Sequence, residues 1–234
     1  MKGVVALLAV LVLTGIWWGS REATDEPEIA LVLGEHWSEM RQRSSAMIVP
    51  AIVKETWFGM PKTDARLRFV DPRYGFITPL ARFFTIGYSN ERITDIRMSP
   101  QVEPLLLDDA LKVVLNLQNQ WRQKGWYLTS PESDPAIADT VEWRTRLKDE
   151  NKGGTTYWQA GQRYQILLDI GRYEDMKRPD EERYLITLSI AKPWIPGDDE
   201  LPSNHSEIIL GDLHNETHQR PFSYAFGTET RLQR

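Results

Sequence analysis

The chain has 234 residues, a formal net charge of −5 and no cysteine. The lack of cysteine excludes disulfide bonds, thiol catalysis and thiolate metal sites, so a hydrophobic core has to stabilise the fold unaided. A mildly acidic balance argues against a general nucleic-acid-binding protein, which would be basic over much of its surface.

The first predicted element is a membrane-spanning segment. Residues 3–18 carry no charge and end in Trp17 and Trp18, aromatic residues of the kind that lie at a membrane interface. At about 1.5 Å per residue this segment reaches roughly 24 Å, and Lys2 extends it by snorkelling. Lys2 precedes the span and several acids follow it, so the positive-inside rule predicts a cytoplasmic N-terminus. We therefore expect a single-pass inner-membrane protein whose remaining residues lie in the periplasm.

A cleaved signal peptide is the alternative for the same segment. Its cleavage sites are poor, because cutting after Ser20 or after Ala23 leaves a large residue where a small one is needed. Both alternatives export the rest of the chain. The predicted domain organisation is an anchor at 1–19, a polar linker at 20–28, an α+β domain at 29–194 and a polar, partly extended or disordered tail at 195–234.

The first clear strand of the domain is predicted at residues 65–70. Apolar residues alternate there with Arg66 and Arg68, and this period of two indicates a strand with one buried face. Residues 71–75 predict a turn, in which Gly75 is free to take a positive φ.

A hairpin and a long amphipathic helix follow. Residues 82–88 and 92–98 are rich in aromatic and β-branched residues around a short turn, which predicts two antiparallel strands. The helix is predicted at 107–124, where apolar residues recur at spacings of three and four. Gly125 is expected to end the helix in the left-handed conformation. We expect this helix to be buried against the sheet.

The second half of the domain predicts one more helix and three strands. Asp134 is expected to cap a surface helix that begins at Pro135 and ends near Lys148. Alternating patterns then predict strands at 155–160, 164–170 and 184–190. The order βββααβββ predicts an α+β fold with a mainly antiparallel sheet and helices packed mainly on one face.

Catalytic motifs are absent from the sequence, and one weak metal-binding pattern is present. His214 and His218 are four residues apart, a spacing that lets two imidazoles on one helix face bind zinc. They lie in the polar tail, where few apolar residues support a helix, so surface histidines are the favoured interpretation. We expect no catalytic residue and no cofactor, and a metal-assisted hydrolase that uses this pair is the alternative.

The candidate partner-binding residues are two arginines and two tryptophans. Basic residues cluster between positions 62 and 97, which indicates a solvated surface or a basic face where Arg66 and Arg68 meet an anionic partner or lipid headgroups. Trp143 and Trp158 are the candidate exposed anchors of an interface, although capping of the core is the favoured interpretation of these tryptophans.

One acid on a predicted strand, Asp169, has two interpretations. It lies opposite the apolar side of the strand, where a salt bridge to a neighbouring arginine is favoured over a functional acid. The whole pattern favours a non-enzymatic, membrane-anchored protein that binds another protein in the periplasm and no nucleic acid. An immunity protein that blocks a toxin and an accessory subunit of an envelope assembly or secretion machine both fit this architecture.

Overall fold

The computed structural model describes residues 26–194. The predicted membrane anchor, most of the linker and the C-terminal tail, including His214 and His218, lie outside these residues. Within the described range, no helix has the length and apolar character that crossing a membrane requires.

Residues 26–194 form ten strands and three helices. The strands are β1 Glu28–Leu31, β2 Thr56–Gly59, β3 Ala65–Phe69, β4 Phe76–Ala81, β5 Phe84–Ser89, β6 Arg92–Met98, β7 Tyr127–Leu128, β8 Gly153–Ala160, β9 Tyr164–Tyr173 and β10 Arg183–Ala191. The helices are α1 Trp37–Arg43, α2 Leu107–Gln123 and α3 Val141–Lys148.

The strands form two sheets where the sequence predicted one. The small sheet has the order β1-β3-β4, and the large sheet has the order β2-β5-β6-β10-β9-β8-β7. Every strand pair is antiparallel except β1 with β3. The prediction of an α+β fold with mainly antiparallel pairing is therefore confirmed.

Strand β4 was missed by the sequence analysis, which began the next strand at Arg82. Pro79 interrupts its pattern, and a proline is tolerated here because β4 is the edge of the small sheet. The side chain of Gln120, on α2, satisfies the open edge: it accepts from the Ile77 N–H at 3.0 Å and donates to the Ile77 carbonyl at 2.9 Å. A helix side chain thus takes the place of a neighbouring strand.

The turn at 71–75 is present, but the predicted role of Gly75 is wrong. Gly75 is not among the glycines with positive φ in residues 26–194, whereas Gly125 has a φ of +79° after α2, as expected. Glycine is needed at position 75 for space, because a Cβ there would lie 2.8 Å from the Asp71 carbonyl oxygen and 2.9 Å from that of Phe69.

Helix α2 has the predicted position and faces the core of the domain. It contacts strands of both sheets, β4 and β10. Its buried residues recur at helical spacing and are Leu107, Ala110, Leu111, Val114, Leu117, Gln118 and Trp121. Its amphipathic pattern therefore predicted both the helix and its burial.

Helix α3 is shorter than predicted, and the expectation that Asp134 caps it is wrong. It begins at Val141, and the N-cap is Thr140. The preceding residues are held in a non-helical conformation by Gln118, whose buried amide bonds both peptide groups of Ile137, at 2.7 Å to the carbonyl and 3.0 Å from the N–H.

A buried carboxylate joins the two sheets. Asp71, in the β3–β4 turn, accepts hydrogen bonds from the Arg73 and Tyr74 N–H groups and from the Tyr164 hydroxyl at 3.0 Å. Arg163, beside Tyr164 at the start of β9, pairs with it at 2.9 Å. Burial alone would raise the pKa of Asp71, but these hydrogen bonds and the guanidinium outweigh it, so the pKa lies below the ordinary value.

Candidate binding surfaces

The acids and histidines of the described domain do not form a metal site. Among residues 26–194, no three His, Asp or Glu side chains come close enough together to hold a metal ion. His36 serves as the N-cap of α1, where its side chain accepts from the Ser38 N–H. His214 and His218 lie outside the described residues, so the zinc interpretation stays a prediction.

The predicted basic face does not offer free charges at Arg66 and Arg68. Parallel pairing of β1 with β3 puts Glu28 opposite Arg66. The Glu28 carboxylate accepts from Arg66 Nε at 3.0 Å and from Arg68 Nε at 2.7 Å. Arg66 also pairs with Glu26 at 3.3 Å, so both arginines have a structural role in holding the first strand against its neighbour.

Trp158 is a core residue, so the expectation that it is exposed is wrong. Its side chain is 1% exposed. The even-numbered residues of β8 face inward, and the Trp158 ring packs against that of Trp121 on α2, with ring centroids 5.6 Å apart. The strand that carries it was predicted at 155–160, but the covering of the ring by α2 is not visible in the sequence.

Trp143 is half-buried and packs on the large sheet. Its ring lies over Gly154 of β8, because a Cβ at Gly154 would come within 2.9 Å of Trp143 Cζ3. The Arg146 guanidinium covers the ring at 5.3 Å from the centroid. This tryptophan therefore attaches α3 to the large sheet, and Gly154 leaves the room that the ring occupies.

The face of the large sheet that points away from α2 and α3 is the first candidate surface, here called the open sheet face. Trp121 and Trp143 bring α2 and α3 to the inner face, which carries the buried residues of each strand. On the outward side, Gln159 and Gln165 at one end are buried, and the residues named next are half-buried or exposed. The open sheet face comprises Thr85, Arg97, Thr155, Tyr157, Leu167, Asp169, Leu185, Thr187 and Ser189.

Asp169 lies near the centre of this face without a cation beside it. The strand register places it between Thr155 and Thr187. Its one hydrogen-bond partner in residues 26–194 is the Thr155 hydroxyl, which donates at 2.7 Å. Burial raises the pKa of Asp169, and only that hydroxyl opposes the shift. The expectation of a salt bridge to a neighbouring arginine is therefore wrong.

Arg97 is the counterpart of Asp169 on the same face. It is exposed on β6, opposite Ser189, and forms no ion pair within the part of the chain that the structure describes. Two strand spacings and two residues separate it from Asp169, so the Cα atoms of the two residues are about 12 Å apart. The open sheet face thus carries an acid and a base that are too far apart to neutralise each other.

The second candidate surface, missed by the sequence analysis, is an exposed apolar segment at residues 47–62, here called the apolar lobe. Phe58 is 60% exposed, Val53 59% and Met47 51%. The other large apolar side chains exposed on it are Val49, Ile52, Trp57 and Met60. The run from Met47 to Val53 was visible in the sequence, but an apolar run by itself predicts burial.

The backbone of the apolar lobe is well supported. Lys62 N donates to the Met47 carbonyl at 2.8 Å, and Ile48 forms a bridge with Pro61. The Trp37 indole donates to the Val49 carbonyl at 3.1 Å. Strand β2, within the lobe, pairs with β5 and forms the edge of the large sheet. These hydrogen bonds therefore fix the backbone of the lobe with its apolar side chains exposed.

Comparison of this chain with protein-family models, with curated proteins and with solved structures finds no match.

Proposed function

We propose that this chain is a membrane-anchored, non-enzymatic periplasmic protein that binds another protein through the open sheet face. The observation that carries the proposal is the unpaired, half-buried carboxylate of Asp169 on that face. Within the binding class we favour an immunity protein that blocks a toxin by direct contact, over an accessory subunit of an envelope assembly.

The carboxylate of Asp169 has an energetic cost in the free protein. A partly desolvated acid without a cation destabilises the free protein, whereas a neutral side chain of the same shape would not. Charges that are unfavourable for folding cluster at functional sites, because they gain a partner when the complex forms. The presence of an acid at position 169 is therefore better explained by an ion pair in a complex than by a contribution to the stability of the domain.

The spacing of the two charges defines the partner. A partner that covers the open sheet face presents a cation to Asp169 and an anion to Arg97, two residues whose Cα atoms are about 12 Å apart. Thr187 and Ser189 between them and Tyr157 beside Asp169 supply hydroxyls for hydrogen bonds, and Leu167 and Leu185 supply apolar contact. Such charge complementarity fixes the orientation of a protein partner and disfavours others.

The test substitutes Asn for Asp169 in the full-length chain. We expect Asp169→Asn to lose at least tenfold in capture of the partner, about 1.4 kcal/mol, because the cation of the partner is left unpaired. The same substitution should leave the free energy of unfolding unchanged or raise it. The measurements are capture from envelope extract and from secreted proteins, and urea unfolding of the purified protein.

Asp180→Asn is the matched control, because Asp180 is an exposed acid away from this face and forms no ion pair in residues 26–194. It should change neither capture nor stability. Capture of one stoichiometric secreted protein supports the inhibitor role, and capture of several membrane-machine subunits supports the accessory role. Undiminished capture by Asp169→Asn would remove the open sheet face from consideration.

A further inference from the structure

We infer that the apolar lobe rests in the interface of the membrane that holds the chain. This inference depends on the anchoring part of the proposed function and is independent of the protein partner on the open sheet face. Three features support it: the exposure of the lobe, its position beside the point where the chain enters the domain, and the length of the chain before that point.

The exposed apolar side chains of the lobe are too concentrated for an ordinary protein surface. Seven large apolar side chains within residues 47–60 are exposed, two of them aromatic. The Trp57 and Phe58 rings stack with centroids 5.7 Å apart, so they present one continuous aromatic surface. Contiguous exposed apolar patches of this kind mark sites of contact with protein or membrane.

The chain enters the domain at the base of the apolar lobe. Ala46 N donates to the Glu28 carbonyl at 3.0 Å, and Glu28 N donates to the Ser45 hydroxyl at 2.9 Å. Glu26, the first described residue, lines a shallow pocket together with Met47 and Lys62, the two ends of the lobe. The start of the domain and the lobe therefore lie side by side.

The preceding chain is too short to hold the lobe far from a bilayer. The predicted span ends at Trp18, eight residues before Glu26. Eight residues reach at most about 28 Å, even when fully extended. The part of the domain nearest to the anchor, which includes Met47 and Lys62, therefore faces the membrane surface.

The composition of the lobe matches the chemistry of that surface. Tryptophan and phenylalanine favour the boundary between headgroups and acyl chains, and lysines beside them favour anionic headgroups. The lobe carries Lys54 and Lys62 against one acid, Glu55. A second copy or a protein partner would also cover apolar residues, but neither accounts for the position of the lobe at the point where the anchor joins the domain.

The test uses the absence of cysteine in the chain, which leaves a clean background for labelling. Val53→Cys and Phe58→Cys variants of the full-length chain carry an environment-sensitive fluorophore in vesicles of phosphatidylethanolamine and phosphatidylglycerol. We expect a blue-shifted emission, quenching by nitroxides on the lipid chains and loss of quenching by aqueous iodide. Flotation of the vesicles reports anchoring in the same samples.

Met176→Cys is the matched control. Met176 is 83% exposed and follows β9, whose end pairs with Arg183. The lobe aligns instead with Ile190, about 23 Å further along β10, since Gly59, Ile86, Ile96 and Ile190 are in register. The probe at Met176 should remain in water, which shows that any protection at the lobe is local.

A second variant separates lipid contact from a local effect of the label. Phe58→Asp should return the probe at Val53→Cys to water without changing flotation, because an acid opposes entry into the interface. A chain that floats with both lobe probes exposed to water overturns the inference and leaves the anchor in place. Protection of the probes that requires added protein extract, or self-association without lipid, also overturns it. A chain that does not float contradicts the anchoring proposal and, with it, the basis of the lobe contact.

Discussion

Two aspartates of this domain, the buried Asp71 and the half-buried Asp169, have opposite electrostatic surroundings. Asp71 receives two backbone N–H groups, a tyrosine hydroxyl and a guanidinium, which together lower its pKa. Asp169 receives one hydroxyl, and burial raises its pKa. Because a lowered acid pKa means that folding stabilises the charged form, the first acid supports the fold at neutral pH and the second opposes it.

For Asp71 we expect the substitution Asp71→Asn to destabilise the domain by about 1 to 3 kcal/mol at neutral pH, since a charge-assisted hydrogen-bond network is lost. The loss should shrink at low pH. The carboxylate contributes fully above the ordinary value of 3.8, and its contribution disappears as the pH falls through the lower pKa of the folded state. Urea unfolding of both proteins across this range measures the effect. A difference that stays constant with pH would contradict the prediction.

The pH dependence of stability has the opposite sign at Asp169. Wild-type stability should fall relative to Asp169→Asn as the pH rises above the ordinary value of 3.8, and the difference should level off above the raised pKa of the folded state. The same unfolding series measures it. Two parallel curves would mean that the carboxylate is as well solvated in the folded state as in the unfolded state.

The sequence could predict which side of its strand Asp169 occupies, because a period of two defines the faces. It could not predict the missing partner. That depends on which strands flank β9, and the neighbours are a threonine on β8 and a threonine on β10. Trp158 was misread for the same kind of reason, since only the packing of α2 on β8 shows that its ring is covered.

At the scale of elements, α2 holds two neighbouring segments through glutamine side chains. Gln120 bonds both peptide groups of Ile77 on β4, and Gln118 bonds both peptide groups of Ile137 before α3. An amide side chain can do this because it offers a donor and an acceptor in one plane, like the peptide group itself. The helix therefore supplies hydrogen bonds that a further strand would otherwise provide.

The prediction at this scale concerns Gln118, which is fully buried. Gln118→Ala should destabilise the domain by about 2 to 4 kcal/mol, because two peptide groups of Ile137 lose their partners in a buried place. Gln123→Ala, at an exposed position of the same helix, should change stability by less than about 0.5 kcal/mol. Urea unfolding compares the two. Equal effects would show that Ile137 finds other partners, such as water.

The elements predicted well are those whose pattern is long and local. Helix α2 and the β5–β6 hairpin need only spacing, a short turn and a left-handed glycine to be recognised. Strands β1, β2 and β4 have four to six residues each, and one contains a proline. Their pairing is decided by distant segments, such as β3 for β1 and Gln120 for β4, which no local pattern shows.

At the scale of the molecule, β10 joins the two halves of the large sheet. Leu188, fully buried, pairs with Met98 of β6 on one side and with Leu168 of β9 on the other. Without β10, the β2-β5-β6 group and the β9-β8-β7 group share no strand contact in this sheet. A destabilising substitution in β10 is therefore expected to affect both groups of strands.

We expect Leu188→Ala to destabilise the domain by about 2 to 5 kcal/mol, as usual when a buried leucine leaves a cavity. Amide hydrogen exchange should accelerate alike in β5–β6 and in β8–β9, because both groups depend on the same strand. Thr187→Ala, the neighbour on the open sheet face, should leave exchange nearly unchanged. Acceleration confined to one group would show that the two halves unfold separately.

The central place of β10 has a consequence for the newly made chain. Leu188 completes the edge of β6 at Met98, ninety positions earlier in the sequence. At a synthesis rate of about 5 to 20 residues per second, β6 waits about 5 to 20 seconds for its neighbour. During that interval its free edge and apolar side chains are open to other chains, and aggregation competes with folding. Retarding elongation between these two strands should lower the yield of folded protein more than retarding it after β10.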